Sequence, residues 1–202
     1  MMAPPTKNGL TLNPEQKVIL LVGPSGSGKG TIAHFMATMG ENWTHLSEDN
    51  VWDEIQHPPT EFRTPEGFSK VKQLVLQHLE NELRQGKSVV FEFLVFDNPP
   101  TPIFEYQQEL AKRSIPFETK VLVPSVEKIL ANQKVRGRPE EQQDLVGQKR
   151  NAEHQLACLM NDSIPEQWRI DSTQLSPQNT FEMYFKSLVM PESAFLERTK
   201  DE

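Results

Sequence analysis

Cysteine is almost missing from this chain: Cys158 is the only one in 202 residues. A single thiol excludes an intrachain disulfide framework and a cysteine-clustered metal centre. Long apolar runs are missing too. The longest candidate, VVFEFLVF at 89–96, carries Glu92 in its middle and falls well short of the ~20 apolar residues of a membrane-spanning helix. Basic residues are outnumbered, 21 Lys and Arg against 28 Asp and Glu, for a formal charge of −7. That deficit weighs against nonspecific binding of nucleic acid, whose affinity comes mainly from Lys and Arg neutralising phosphates, although a local basic patch is compatible with it. The histidines, His34, His45, His57, His78 and His154, share no metal-ligand spacing and read as surface or satisfied core residues. No basic segment followed by an apolar core stands near the start, so the cytoplasm is the expected compartment, with no membrane partner.

What is present is an alternation of apolar segments with two periods. The run KVILLV at 17–22 is continuous, as in a strand buried on both faces of a parallel sheet. Ile32, Phe35, Met36 and Met39 then recur at helical spacing and stop at Gly40. WTHLS at 43–47 reads as a second strand. Thr64-Pro65 opens a longer helix, with Thr as cap, Pro in the first turn, Phe68, Val71, Val75, Leu79 and Leu83 along one face, and Gly86 as the stop. SVVFEFLVF at 88–96 is the expected third strand, followed by a helix from Thr101-Pro102 to about Arg113. FETKVLV at 117–123 is the fourth, after which Ser125 caps VEKILANQKV. RGRPEEQ interrupts, a long helix runs to about Met160, QWRIDS at 167–172 is a fifth short strand, and Ser176-Pro177 starts a closing helix with Phe181, Phe185 and Leu188 on one side. Strands alternating with helices imply right-handed crossovers and a parallel sheet covered on both faces. The expected class is α/β: a three-layer sandwich around a five-stranded parallel sheet. The domain is expected over 17–190, preceded by a flexible leader at 1–16 that holds three prolines and followed by a solvated tail at 191–202.

The stretch GPSGSGKGT, Gly23 to Thr31, joins the first strand to the first helix. A glycine-rich turn there can aim several backbone N–H groups at one point, forming an anion nest. The following helix adds its unpaired N–H groups and positive dipole end, and Lys29 adds a full charge that reaches the β- and γ-phosphates of a nucleotide. Gly23, Pro24, Ser25, Gly26, Ser27, Gly28, Lys29, Gly30 and Thr31 are therefore the candidate triphosphate cradle. The bland alternative is a glycine-rich turn with no ligand. Gly23, Gly28 and Lys29 fit G-x-x-x-x-G-K, but the usual hydroxyl residue after the lysine is Gly30, with Thr31 one place later. Because that hydroxyl ordinarily ligates Mg²⁺, the metal here is expected to be held through waters and carboxylates, with Thr31 facing another phosphate oxygen.

GPSGSGKGT with glycine after the lysine resembles the loop of nucleoside monophosphate kinases such as adenylate and cytidylate kinases. HLSEDNVWDEI, VVFEFLVFDNPP and VLVPSVEKILANQKVRGRP, in that order, are similar to the P-loop kinases that include polynucleotide 5′-kinase, zeta-toxin-like and chloramphenicol-phosphotransferase-like members. The resemblance runs over about residues 17–175 and implies the P-loop NTPase fold with a small lid at about 136–150. It also implies transfer of the γ-phosphoryl of ATP, with Mg²⁺, to a hydroxyl: chemistry that rests on positioning and charge neutralisation. By that resemblance Asp49, just past the second strand, acts on the acceptor hydroxyl. The alternative is that Glu48, Asp49 or Asn50 caps the helix VWDEIQ. Glu48 stands where polynucleotide 5′-kinases carry arginine, which weakens a nucleic-acid acceptor. Glu92, inside an apolar strand, needs a compensating partner; it either orients the waters of Mg²⁺ or the acceptor, with Asp97 as rival, or forms a structural ion pair. Arg136 and Arg138 match the lid of these kinases and would close over the phosphates, unless they are solvated arginines at a helix end.

Trp52, Phe62, Arg63, Phe93 and Asn98 fall on segments expected to border the acceptor crevice, and Thr31, Asp49 and Glu92 are the candidate metal-facing groups. Cys158, on the apolar face of a helix, reads as inert. The leading expectation is a kinase that takes a nucleoside triphosphate and a small-molecule acceptor such as a sugar, a nucleoside-like compound or an antibiotic. A nucleoside monophosphate kinase, a polynucleotide 5′-hydroxyl kinase and a non-catalytic nucleotide-dependent switch are the alternatives. The first of these needs several arginines around an acceptor phosphate, and between Lys29 and Arg113 the sequence offers Arg63 and Arg84.

Overall fold

A computed structural model describes residues 10–55 and 64–190. Its centre is a five-stranded parallel sheet in the order β2-β3-β1-β4-β5, built from β1 (Val18–Val22), β2 (Trp43–Ser47), β3 (Ser88–Phe93), β4 (Phe117–Leu122) and β5 (Arg169–Ile170). Every residue of β1 is fully buried, and the period-2 alternation of a strand divides them between two cores. Val18, Leu20 and Val22 join Val89, Phe91 and Phe93 on one face, and Ile19 and Leu21 join Val90 and Leu122 on the other. Such double burial is what the unbroken apolar run required.

Helices cover both faces. α1 (Lys29–Met39) buries Ile32, Ala33 and Met36 on the second core, where Phe181 of α8 (Pro177–Tyr184) also packs; α9 (Lys186–Val189) completes that side. α2 (Glu48–Glu54), α3 (Pro65–Arg84) and α4 (Thr101–Lys112) contribute to the first core. Between β4 and β5 stand α5 (Val126–Arg136), the short α6 (Pro139–Gln143) and α7 (Leu145–Leu159). The expected starts hold for physical reasons. Thr64 Oγ1 accepts from Gly67 N at 3.1 Å, Ser125 Oγ from Lys128 N at 3.2 Å and Ser176 Oγ from Asn179 N at 3.1 Å, each filling an orphan donor of the helix it precedes. Among the described residues no helix is long and apolar enough to cross a membrane.

Some expectations need correction. The third strand ends at Phe93, not Phe96, because its neighbours end there: Val22 pairs with Phe93 and Ser47 with Glu92, leaving Leu94 to Phe96 no ladder to join. The fifth strand is Arg169–Ile170 alone, paired with Val121 and Leu122. Phe68 is 49% exposed rather than on the buried face of α3, and meets Trp52 edge-on at 5.1 Å. Residues 10–16 do not behave as a loose leader: Leu10 and Leu12 pack on the first core, and buried Gln16 donates through Nε2 to the carbonyls of Leu83 (2.7 Å) and Lys87 (3.1 Å). Residues 1–9 and the tail 191–202 lie outside the described residues, as do His57, Phe62 and Arg63.

Candidate active site

A cleft of about 630 Å³ opens along the loop that joins β1 to α1, and the ends of β2 and β3 and the C-terminal part of α5 border it. That is the carboxyl edge of the sheet, where open α/β folds bind ligands. The loop turns because Gly26 (φ 90°) and Gly28 (φ 96°) occupy the left-handed region closed to most residues, with Ser27 N–H bonded to Pro24 O at 3.0 Å. Gly28 is the N-cap of α1, no side chain caps it, and no acidic residue stands in the first turn. The N–H groups of Lys29, Gly30 and Thr31 therefore begin a helix without intrahelical partners. Lys29 is buried and curls over the loop, its Nζ donating to the carbonyls of Gly23 (2.8 Å) and Pro24 (3.1 Å). Burial pulls its ammonium below the ordinary lysine value, an effect that the charges of Glu92 and Asp49 oppose.

Three amide side chains brace this loop from α5 and α7. Asn132 Nδ2 donates to Gly26 O (2.8 Å), Gln133 Nε2 to Ser25 O (2.9 Å), and Gln155 Oε1 accepts from Ser25 N (3.0 Å). None was foreseen from the sequence. A signal existed for Gln155: it is buried on the same face of α7 as Ala152, Cys158 and Leu159, and a polar residue on an apolar stripe needs a partner.

Glu92, His45, Ser47 and Asp49 also line the cleft. Glu92 is the carboxylate the sequence left without a partner. Its compensation comes from His45 Nε2 at 3.1 Å, with a further hydrogen bond from Ser47 and the nearby charge of Lys29. Burial alone would raise its carboxyl; those interactions outweigh it and hold the group below the usual glutamate range. The histidine reading thus missed His45, which lies in the cleft. Asp49 is exposed in the first turn of α2, whose N-cap is Ser47, so the helix does not start on Asp49 or Asn50. Glu48 accepts from Tyr106 OH at 3.0 Å; burial, reinforced by the charge of Glu48 and this bond, raises the phenol far above its ordinary value.

Arg136, at the C-terminal end of α5, bonds Glu141 of α6 through both Nε and Nη2, and Nη2 also reaches Ser25 Oγ at 3.0 Å. Glu141 is buried, so this pair tethers the guanidinium at the phosphate loop. Arg138 also lines the cleft, as does Thr31. The structure thus brings together the loop Gly23–Thr31, Asp49, Glu92, Arg136 and Arg138. Two expected acceptor residues are elsewhere. Trp52 packs against the first core and Phe68. Asn98 precedes a cis peptide to Pro99 and is bonded to Asn161 Nδ2 at 2.7 Å. Asp97, the rival of Glu92, is on that same strand exit and not in the cleft wall; Phe93 does line it.

The family model described as an AAA domain matches residues 18–157. Among curated proteins none matches the chain. Solved structures do. The tunicamycin resistance protein of Deinococcus radiodurans is 16% identical, with a TM-score of 0.58 over 83% of this chain and 92% of that one. APE1195 is 21% identical, TM-score 0.61, over 88% and 97%. A sugar kinase from Janibacter sp. HTCC2649 is 20% identical, TM-score 0.56, over 89% and 98%. At these identities the likeness is one of fold.

Proposed function

The chain belongs to the AAA domain family, a P-loop kinase family, and on that footing we propose that it transfers the γ-phosphoryl group of ATP to a hydroxyl of a small molecule. The observation that carries this reading is the convergence on one cleft of a buried loop lysine, an arginine tethered at the loop, and two carboxylates, Asp49 and Glu92. The N-terminus of α1 and the glycine loop fit a triphosphate, since among the described residues no side-chain cap fills the start of that helix. The donor set also fits Mg²⁺, which takes oxygen ligands and keeps several waters. Among the described residues no cluster of three or more His, Cys, Asp or Glu could cage a metal alone, which suits an ion delivered with the nucleotide. Thr31, Asp49 and Glu92 would face it, and it would neutralise charge on the β- and γ-phosphates.

The chain's own groups then divide the work. The acceptor oxygen attacks the γ-phosphorus, the bond to the β–γ bridging oxygen breaks, ADP leaves, and the hydroxyl proton passes to Asp49, exposed in the cleft. Lys29, Arg136 and Arg138 balance charge on the phosphoryl oxygens. Among the described residues the cations lining the cleft are these three, and Lys29 and Arg136 already serve the phosphate loop. With Arg138 also on the transferring phosphates, no further Lys or Arg among the described lining residues meets an acceptor phosphate, which favours a neutral hydroxyl compound over a nucleoside monophosphate or a polynucleotide end. A panel of sugars, nucleosides and hydroxylated antibiotics, assayed for ADP release with and without acceptor, tests the reading. Acceptor-dependent release that falls ~10²-fold or more in Asp49→Asn, with ATP binding retained, is the expected result. Acceptor-independent slow hydrolysis, unchanged in Asp49→Asn, would replace the kinase with a nucleotide-dependent switch.

A further inference from the structure

The glycine that follows the loop lysine has a neighbour that explains it. A Cβ placed on Gly30 would stand 3.3 Å from Glu92 Oε1 and 3.7 Å from Oε2. A serine or threonine at this position would therefore push its side chain against a carboxylate that already occupies the space. The Glu92 side chain is 14% exposed and is held from the adjacent strand, where Ser47 is its register partner and His45 lies two residues earlier on the same face of β2. His45 Nε2 lies 3.1 Å from Glu92 Oε1. A carboxylate only accepts, so that nitrogen carries the hydrogen. His45 and Gly30 thus bear on the same carboxylate from two sides, one by a hydrogen bond and the other by leaving room.

Resting on the phosphoryl-transfer reading, we infer that His45 is a positioning residue: its hydrogen bond fixes Glu92 in the space Gly30 leaves open, so that this carboxylate takes the place of the missing loop hydroxyl toward the nucleotide's metal ion. The donor meets Oε1 alone, so it fixes the orientation of the carboxylate from the β2 side while Gly30 leaves the loop side open. Partners of this kind, one step behind the group that faces a metal, are worth 10–100-fold in metal affinity or activity when removed.

Manganese is a magnetic probe of the site that needs no acceptor and no turnover. Electron paramagnetic resonance of free Mn²⁺ gives its affinity for the protein loaded with a non-hydrolysable ATP analogue, and calorimetry in EDTA gives metal-free nucleotide affinity. His45→Leu is expected to weaken Mn²⁺ about 10-fold while metal-free nucleotide affinity stays within about twofold of wild type. His45→Gln, whose amide nitrogen stands near the place of Nε2, is expected to recover most of the loss. Gly30→Ala, which presses on Glu92 without touching His45, is expected to weaken Mn²⁺ as well and keeps the test open should His45→Leu fold poorly. Wild-type Mn²⁺ affinity in His45→Leu or in Gly30→Ala overturns the inference, as does a His45→Gln no better than His45→Leu. So does an equal loss of metal-free nucleotide binding. A wild-type protein that binds neither the analogue nor its Mn²⁺ complex removes the cradle reading itself, and the inference with it; wild-type binding with silent His45 variants removes the inference alone.

Discussion

The pair between Arg136 and Glu141 makes unequal demands on its partners, and removing each in turn should show it. The Glu141 side chain is 6% exposed and that of Arg136 34%. Replacing Arg136 with methionine keeps its apolar stem but leaves a buried carboxylate without its cation. Breaking a fully buried pair this way costs about 3–5 kcal/mol; with one partner a third exposed, we expect about 2–3 kcal/mol. Replacing Glu141 with glutamine leaves Arg136 an acceptor oxygen, its bond to Ser25 Oγ at 3.0 Å and access to water, so about 1 kcal/mol is expected. At a urea m-value of about 2 kcal/mol/M, the midpoints fall by about 1–1.5 M and about 0.5 M respectively. The double change Arg136→Met with Glu141→Leu should return most of the larger loss, because two apolar groups no longer leave a charge uncompensated. Urea titration followed by circular dichroism measures all of these. Equal shifts for the two single variants, or a double variant no more stable than Arg136→Met, would refute the asymmetry and with it the view that Glu141 is the member unable to reach water.

Other consequences can be checked alongside. Gly26→Ala places a Cβ 2.9 Å from Ile129 O on a residue at φ 90°, so a stability loss of about 1–3 kcal/mol and weakened nucleotide binding are expected by urea midpoint and calorimetry. Phe181 is 2% exposed and tilted against Phe35 at 5.6 Å; Phe181→Ala is expected to cost about 3–5 kcal/mol in thermal or urea unfolding. Glu109 on α4 is held down to about 2 from an ordinary 4.5 by hydrogen bonds from Lys112 and Arg113. A carboxyl depressed on folding binds fewer protons folded than unfolded, so its contribution is present above about pH 4.5 and is lost as the pH falls toward 2. Because such same-helix pairs are worth only about 0.3–0.5 kcal/mol each, Glu109→Gln should lower the urea midpoint slightly at pH 6 and merge with wild type near pH 2.

Where periodicity and chain-local chemistry decide, the residues alone were enough. An apolar run without polar interruptions has to be buried on both faces, which put β1 in a parallel sheet covered on both sides. Thr64, Ser125 and Ser176 cap helices through their own third neighbours, a contact that needs no distant partner. The glycine-lysine loop is likewise a local object, shaped by backbone conformations that glycine permits. What lay outside local reach were the contacts between remote segments. His45 and Glu92 are 47 positions apart, and Ser25 and Gln155 are 130 apart; strand pairing and helix packing bring them together. Trp52 and Asn98 lie on segments that border the cleft, yet the packing of α2 on α3 and the bond to Asn161 take them out of it. The length of β3 was decided the same way, by where β1 and β2 stop. A residue's type and spacing state what it needs, burial or a partner; which partner answers depends on the register of strands and the seating of helices, and only the folded chain supplies those.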